Sequence, residues 1–245
     1  SDRPLLVRGD PRTPGEMVPR AFLEAFDATP YAADSPGRLE LARAIVDDNP
    51  LFARVMANRL WHHVFGRGLV ASCDNFGRLG DEPTHPELLD ELAQRLSGAE
   101  PYDDGTVEAW SLKRMVREMV STEAFRAASQ HPDPRAAELD PDGRWRSRWS
   151  VRRLEAEAIR DAMLAVTGSL EPTRFGPPVG GDAPRRSVYV RVQRNALDPL
   201  LTAFDAPTPF STEGVRPATN VPAQSLMLLN DPLVATLLNG DSSIT

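Results

Sequence analysis

The sequence predicts a mainly α protein: a multi-helix single globular domain with one or two short β-strands and long Pro/Gly-rich loops. Three observations carry this reading. Helix-start signals recur, each with a capping residue and a proline in the first turn, at Ser35-Pro36, Asn49-Pro50 and Thr84-His85-Pro86-Glu87. Apolar residues follow at helical spacing, as in Leu112, Met115, Val116, Met119 and Val120. A β-branched run stands out at one place only, residues 187–192.

The elements follow in order. Residues 1–34 read as an extended proline-rich arm and a short helix. Pro4, Pro11, Pro14 and Pro19 disfavour both helix and central strand in the arm. The short helix is predicted over 18–27, with Phe22, Leu23 and Phe26 on one face. Residues 35–245 are expected to form a helical domain sharing one core. Its helices are predicted over 35–48, 50–65, 84–96, 111–127 and 150–166. Gly66 and Gly68 stop the second, and Gly168 the last. Residues 128–148, broken by Pro132, Pro134 and Pro141, read as a loop. So do residues 168–186, which contain Gly176-Pro177-Pro178 and Gly180-Gly181. A helix over 197–204 and a helical region over 222–238 close the chain.

Composition narrows the function. The chain has 245 residues, 41% hydrophobic and 26% charged, which suits a packed core and excludes a disordered or disulfide-dense chain. A net charge of -7 argues against a general nucleic-acid partner. Cys73 is the only cysteine, so an intrachain disulfide, a thiolate metal cluster and a covalent c-type haem are all excluded. No apolar run approaches the length of a membrane span. Ser1-Asp2-Arg3-Pro4 does not read as a signal peptide. Lys113 is the only lysine among 28 basic residues; the rest are arginines, which stay charged and bond carboxylates in a bidentate manner.

Candidate polar residues lie in four places. On the helix over 50–65, Arg54, Asn58 and His62 form one stripe and Arg59, His63 and Arg67 the next, with Phe52, Met56, Leu60 and Val64 expected in the core. The stripe reads either as a metal or proton-transfer site joining His62 or His63 to His85, or as a solvated face with structural histidines. Adjacent histidines point about 100° apart and bind one ion poorly, so no metal is expected. On the helix over 150–166, Arg153, Glu157, Arg160 and Asp161 share a face, opposite Val151, Leu154, Ala158, Ala162 and Ala165. Glu157 and Asp161 suit acid–base work if burial separates them, or belong to an Arg–carboxylate network that docks the helix. Arg191, Arg194 and Asn195 follow the predicted strand, and Arg185 and Arg186 precede it. They read as an anion site, or as partners of Glu157 and Asp161. Near the end, Thr219 or Asn220 is expected to cap a helix that carries Gln224 in its first turn. The candidate catalytic residues are thus Glu157, Asp161, His62 and His85. The candidate ligand-binding residues are Asn58, Arg59, Arg191, Arg194 and Asn195.

Several of these segments together resemble a known family. They include Asn49-Pro50-Leu51-Phe52-Ala53-Arg54-Val55-Met56-Ala57-Asn58-Arg59-Leu60-Trp61, Phe65-Gly66-Arg67-Gly68-Leu69-Val70 and Asp74-Asn75-Phe76-Gly77. Thr84-His85-Pro86-Glu87-Leu88-Leu89-Asp90, Arg153-Leu154-Glu155-Ala156-Glu157-Ala158-Ile159-Arg160-Asp161-Ala162 and Val221-Pro222-Ala223-Gln224-Ser225-Leu226 continue the pattern. The order resembles the planctomycete PSD-one family, a domain of unknown function numbered fifteen fifty-three. Ala218 departs from it, standing where a serine is expected before Thr219. The resemblance implies a bacterial, exported, multidomain parent in which this domain follows a cytochrome c domain, with the present chain a fragment. It implies no catalytic residue. The expected function is an accessory or interaction domain of a cytochrome-linked envelope protein, with the other domains of that protein, a glycan or another protein as partner. Two alternatives stay open: an enzyme domain acting on carbohydrate with acid–base residues, and a docking partner for an electron-transfer haem domain. Any haem is expected in a separate domain, with no cofactor in this chain. The expected location, from the resemblance, is the periplasm or cell envelope.

Overall fold

The computed structural model describes residues 2–47, 49–131 and 133–239. Asp48, the expected end of the first helix, and Pro132 lie outside the described residues. Among those described there are nine α-helices and one two-stranded antiparallel sheet, so the mainly α class holds. The chain divides into two compact units, Ser1–Trp149 and Ser150–Thr245.

The first unit opens with a hairpin, β1 (Arg3–Leu6) paired with β2 (Pro14–Val18) in the register Arg3 to Val18 and Pro4 to Met17. The proline-rich arm is extended, as read, but folds back on itself. The predicted helix over 18–27 is absent. Its backbone instead makes turns and a bridge from Ala21 to Pro30. Arg20 explains why: its backbone N–H and Nε both bond Asp2, at 3.2 and 2.8 Å, and its guanidinium reaches the carbonyls of Ser35 and Ala33. Those long-range bonds hold the segment extended.

Four longer helices follow close to the predicted starts, although only those at Pro50 and Leu112 carry the side-chain caps read from the sequence. α1 (Arg38–Val46) begins after Gly37 rather than at Ser35, whose hydroxyl accepts the Gly37 N–H. α2 (Pro50–Phe65) is capped by Asn49, which accepts the Leu51 N–H at 3.0 Å, and closed by Gly66 at φ 85°. α3 (Pro86–Ser97) and α4 (Leu112–Ser121) complete the core, the latter capped by Ser111. A short α5 (Pro134–Leu139), capped by Asp133, lies inside the predicted loop over 128–148. Ala57, Trp61 and Phe65 of α2 pack on Leu89, Leu92 and Leu96 of α3 and on Met115 and Met119 of α4. Trp61 stacks on Phe65 at 4.0 Å. Each such side chain contributes about 1.5–3 kcal/mol by leaving water.

The second unit is built from α6 (Ala156–Val166), α7 (Pro199–Ala203), α8 (Pro222–Asn230) and α9 (Pro232–Asn239). Ala156, Val190, Leu200, Leu201 and Phe204 form its buried cluster. Thus α6, expected to share the core of the earlier helices, packs in a cluster of its own. It also starts later than predicted, because residues 150–155 are non-helical and Arg153 bonds the Phe204 carbonyl at 3.1 Å. The helical region over 222–238 is two helices. Pro232 has no N–H to give, and Asp231 accepts the Leu233 N–H at 2.9 Å to start α9.

The predicted strand over 187–192 is absent. Ser187–Tyr189 forms a single 3-10 turn, and Val190 makes one isolated bridge with Val179. The β-branched composition is outweighed by α6, whose Asp161 takes the Ser187 N–H at 2.7 Å.

Candidate functional site

Asn58 is completely buried on α2. Its Nδ2 donates to the Val70 carbonyl at 2.9 Å, and its Oδ1 accepts the Val70 N–H at 2.9 Å. One carboxamide therefore satisfies both backbone groups of a buried residue in the chain that leaves α2. Gly68 permits this approach, since a Cβ there would lie 2.8 Å from Asn58 Nδ2 and 2.4 Å from the Val70 carbonyl oxygen. Asn58 is a structural clamp, and the expected ligand-binding role does not fit its engaged amide. The Cys73 thiol lies in the same pocket; burial pushes its pKa up, against the bond from Asn58 and the charge of Arg59. Arg59 itself is exposed.

The histidines take different settings. His85 Nδ1 lies 3.0 Å from Thr84 Oγ1, and its ring meets Trp145 edge-on at 5.6 Å. His62 is half-buried, with its ring 5.5 Å from that of His63. Among the described residues no three His, Cys, Asp or Glu side chains are grouped as metal ligands. Below α2, Arg146 donates to the carbonyls of Phe65 and Arg67 at 3.0 and 2.9 Å, closing the helix end. Asp140, also buried, receives the N–H groups of Arg144 and Trp145 and the Ser147 hydroxyl. Burial raises its pKa, but these bonds lower it further, leaving it below the usual carboxylate range.

In the second unit the central group is Arg160, fully buried on α6. Its Nε and Nη2 donate to the Gly181 carbonyl at 3.1 and 2.8 Å, and Nη2 also to Ala183 at 2.6 Å. Its Nη1 donates to the Arg185 carbonyl at 2.8 Å and the Ser187 hydroxyl at 3.2 Å. All of these acceptors are neutral, and Asp161 stands at 3.9 Å. The helix thereby gathers the 181–187 loop around one cation. A Cβ at Gly181 would fall 1.9 Å from Asp198 Oδ2, so a larger residue there must displace that carboxylate.

The neighbouring carboxylates are engaged too. Asp161 accepts the Ser187 N–H at 2.7 Å and Arg186 Nε at 3.4 Å. Glu157 pairs with Arg216 at 2.7 Å, not with Arg191 or Arg194 as the sequence reading expected. Burial raises the Glu157 pKa, but the Arg216 guanidinium and Glu157's own backbone N–H outweigh it, so the carboxyl lies below its ordinary value. A lowered folded pKa contributes stability above the unfolded value, and that contribution is lost as pH falls below it. Double-mutant cycles in urea should therefore give a Glu157–Arg216 coupling of about 0.5–1 kcal/mol at pH 7, modest because both side chains are about a third exposed. The coupling should shrink below pH 4.5, the ordinary glutamate value. A Glu157–Arg194 coupling larger than the Glu157–Arg216 one contradicts this arrangement.

Two further polar knots escaped the sequence reading. Asp205, at φ 63°, accepts Arg153 Nη2 at 2.7 Å and the Thr219 N–H at 2.8 Å. Gln224 Nε2 donates to the Thr219 carbonyl at 3.2 Å, which ties the start of α8 to the same knot. Arg185 lies over the Tyr189 ring at 4.3 Å and reaches the carbonyls of Thr173, Phe175 and Pro177. Arg191, Arg194 and Asn195 are exposed, and among the described residues neither arginine joins an ion pair. Arg194 and Asn195 edge an open depression floored by Leu197, Pro199 and Ala203 and bordered by Phe210.

Chemically, these arrangements secure backbone; within each unit, the candidate acid–base groups are bonded into the fold. The class that fold and site define is a mainly α domain whose arginines and amides brace its loops. The sequence places it further: the profile of PSD1, a protein of unknown function (DUF1553), matches residues 37–240, and the chain belongs to that family. No curated protein and no solved structure matches the chain.

Proposed function

We propose that this domain is a non-catalytic interaction module of a cytochrome-linked bacterial envelope protein of the planctomycete type, and that it docks the haem-bearing domain of the same polypeptide. The observation that supports this reading is the employment of its polar side chains. Asn58, Asp161 and Arg160 are bonded to backbone and Glu157 to the Arg216 guanidinium, while Arg191 and Arg194 face solvent without an ion pair among the described residues. A general acid needs a titratable group left available to substrate; a docking surface needs exposed, oriented cations and aromatics. On this reading haem resides in the partner domain and this chain carries no cofactor.

Calorimetric titration of the chain with the cytochrome c domain of its own polypeptide tests the proposal. Saturable one-to-one binding, with no turnover of chromogenic glycosides, is the expected result. Glycoside turnover that vanishes in Glu157→Gln or Asp161→Asn, with the fold retained, overturns the proposal and favours the carbohydrate-enzyme alternative.

A further inference from the structure

We propose that the open depression edged by Arg194 and Asn195 seats an extended peptide segment of a partner protein, one that carries an apolar side chain next to a carboxylate. The inference rests on the reading of this domain as an interaction module, though not on the haem domain as its partner.

A tight turn over 193–196 builds the rim. The Ala196 N–H donates to the Gln193 carbonyl at 3.1 Å, and the two residues form an antiparallel bridge. Arg194 and Asn195 therefore occupy the two central turn positions. Both are exposed, and among the described residues neither side chain makes a hydrogen bond or an ion pair. Leu197, Pro199 and Ala203 floor the depression, and Phe210, 70% exposed, borders it. Thr202 also lines it; its hydroxyl already donates to the Asp198 carbonyl at 2.8 Å, so its oxygen is left to accept.

Charge argues the occupant. Arg194 is the only charged side chain among the described residues that line the depression. Arg191, three residues earlier, is exposed as well. The carboxylates that follow in the chain are committed elsewhere. Asp198 Oδ1 accepts the Leu201 N–H at 2.9 Å, Asp205 takes Arg153 and Thr219, and the charge of the exposed Glu213 falls on Arg216. The Arg194 guanidinium is thus left with the donors and the charge to take a carboxylate from outside. Shape narrows the class further. A small metabolite is held by a pocket that buries most of its surface, whereas an open depression suits a segment of a longer chain lying across it. The floor of Leu197, Pro199 and Ala203 receives an apolar side chain, for which Phe210 supplies an aromatic wall. A sugar chain would find only Arg194, Asn195 and Thr202 to meet its hydroxyls. The bonded turn fixes the backbone of Arg194 before binding, which lowers the ordering cost of the contact.

The test is selection of a displayed library of random octapeptides on the immobilised wild-type chain, with Arg194→Glu as the counter-selection. The expected result is enrichment of peptides that place leucine, isoleucine, phenylalanine or tryptophan beside aspartate or glutamate. Fluorescence anisotropy of the most enriched peptide should show binding weakened about tenfold or more in Phe210→Ala. Arg194→Ala should weaken it about five- to tenfold, with a shallower salt dependence. Arg174→Ala, which removes an exposed arginine from another loop, should bind as the wild type does. Far-UV circular dichroism should be unchanged in all of these variants, because the side chains are exposed. No enrichment, a consensus without a carboxylate, or wild-type affinity in Arg194→Ala overturns the site. Tighter binding of polygalacturonate than of the enriched peptide overturns it too, in favour of a glycan. Failure of the site while the cytochrome c domain still binds leaves the interaction module standing. Peptide binding without cytochrome c binding keeps the site and removes the haem domain as partner, and absence of both overturns both readings.

Discussion

Replacing Arg160 with methionine is expected to destabilise the second unit by about 3–5 kcal/mol, the range for deleting one member of a buried, charge-bearing network. The side chain places every guanidinium N–H on a loop oxygen, namely the carbonyls of Gly181, Ala183 and Arg185 and the Ser187 hydroxyl. Methionine matches much of its volume but leaves those oxygens without donors in a dry interior. Arg160→Lys should rescue little, because an ammonium has three donors and no planar fork to span three segments of loop. Far-UV circular dichroism and hydrogen exchange of the α6 amides are the suitable probes, since Trp61, Trp110, Trp145 and Trp149 all lie in the first unit. A loss below about 1 kcal/mol, the scale of an ordinary surface contact, would show that the loop finds other donors.

The second large effect is expected at Asn58. Asn58→Leu strands the Val70 N–H and leaves the Val70 carbonyl only the weak Cys73 thiol donor at 3.7 Å; a buried group left unmet costs about 1–3 kcal/mol, so a loss of about 2–4 kcal/mol is expected. Asn58→Asp separates the two bonds. Its carboxylate still accepts the Val70 N–H but faces the Val70 carbonyl oxygen, where only a protonated acid can donate. Burial and that oxygen both favour the neutral form, so the folded pKa of the new carboxyl is raised. Its relative stability is therefore greatest in acid and is lost as pH rises through the folded pKa. Tryptophan fluorescence follows this directly, because Trp61 sits on the same helix. An equal stability difference between Asn58→Asp and the wild type at pH 4 and pH 7 would contradict the clamp.

Local signals in the sequence located most of the helices. Asn49-Pro50 and Gly66 bracket α2 as expected, and Ser111 caps α4, because caps and glycine stops act within a few residues. The misread stripes have a common cause. The buried line on α6 is Ala156, Arg160 and Leu164, whereas Ala158, Ala162 and Ala165, read as the apolar face opposite the charges, are exposed. Spacing by four from Ala156 to Leu164 marks Arg160 as an inward position, and hydropathy alone hides it. On α2 likewise, Asn58 sits in the buried stripe with Ala57, Trp61 and Phe65. Partner choice was legible only in part: Asp161 takes Arg186, one of the arginines read as its partners. Glu157 finds Arg216, 59 residues away, rather than the nearer Arg191 or Arg194. An arginine's partner is set by the folded path, and the residues that brace this path, Asp140, Arg146, Arg185 and Asp205, carry no local signature.

The arginine braces also give the molecule an asymmetric response to acid and alkali. Guanidinium groups keep their proton beyond any ordinary alkaline pH, and with Lys113 as the only lysine almost no cation here is an amine that could be neutralised. Burial pulls the Arg160 pKa down, against the nearby charges of Asp161, Asp198 and Asp182. The acid side has no such reserve. Asp140, Glu157 and Asp205 are each held below their ordinary pKa, so each loses its contribution as it gains a proton. The acid limit of this fold is therefore set by its carboxylates, while its alkaline tolerance is built into the choice of arginine over lysine.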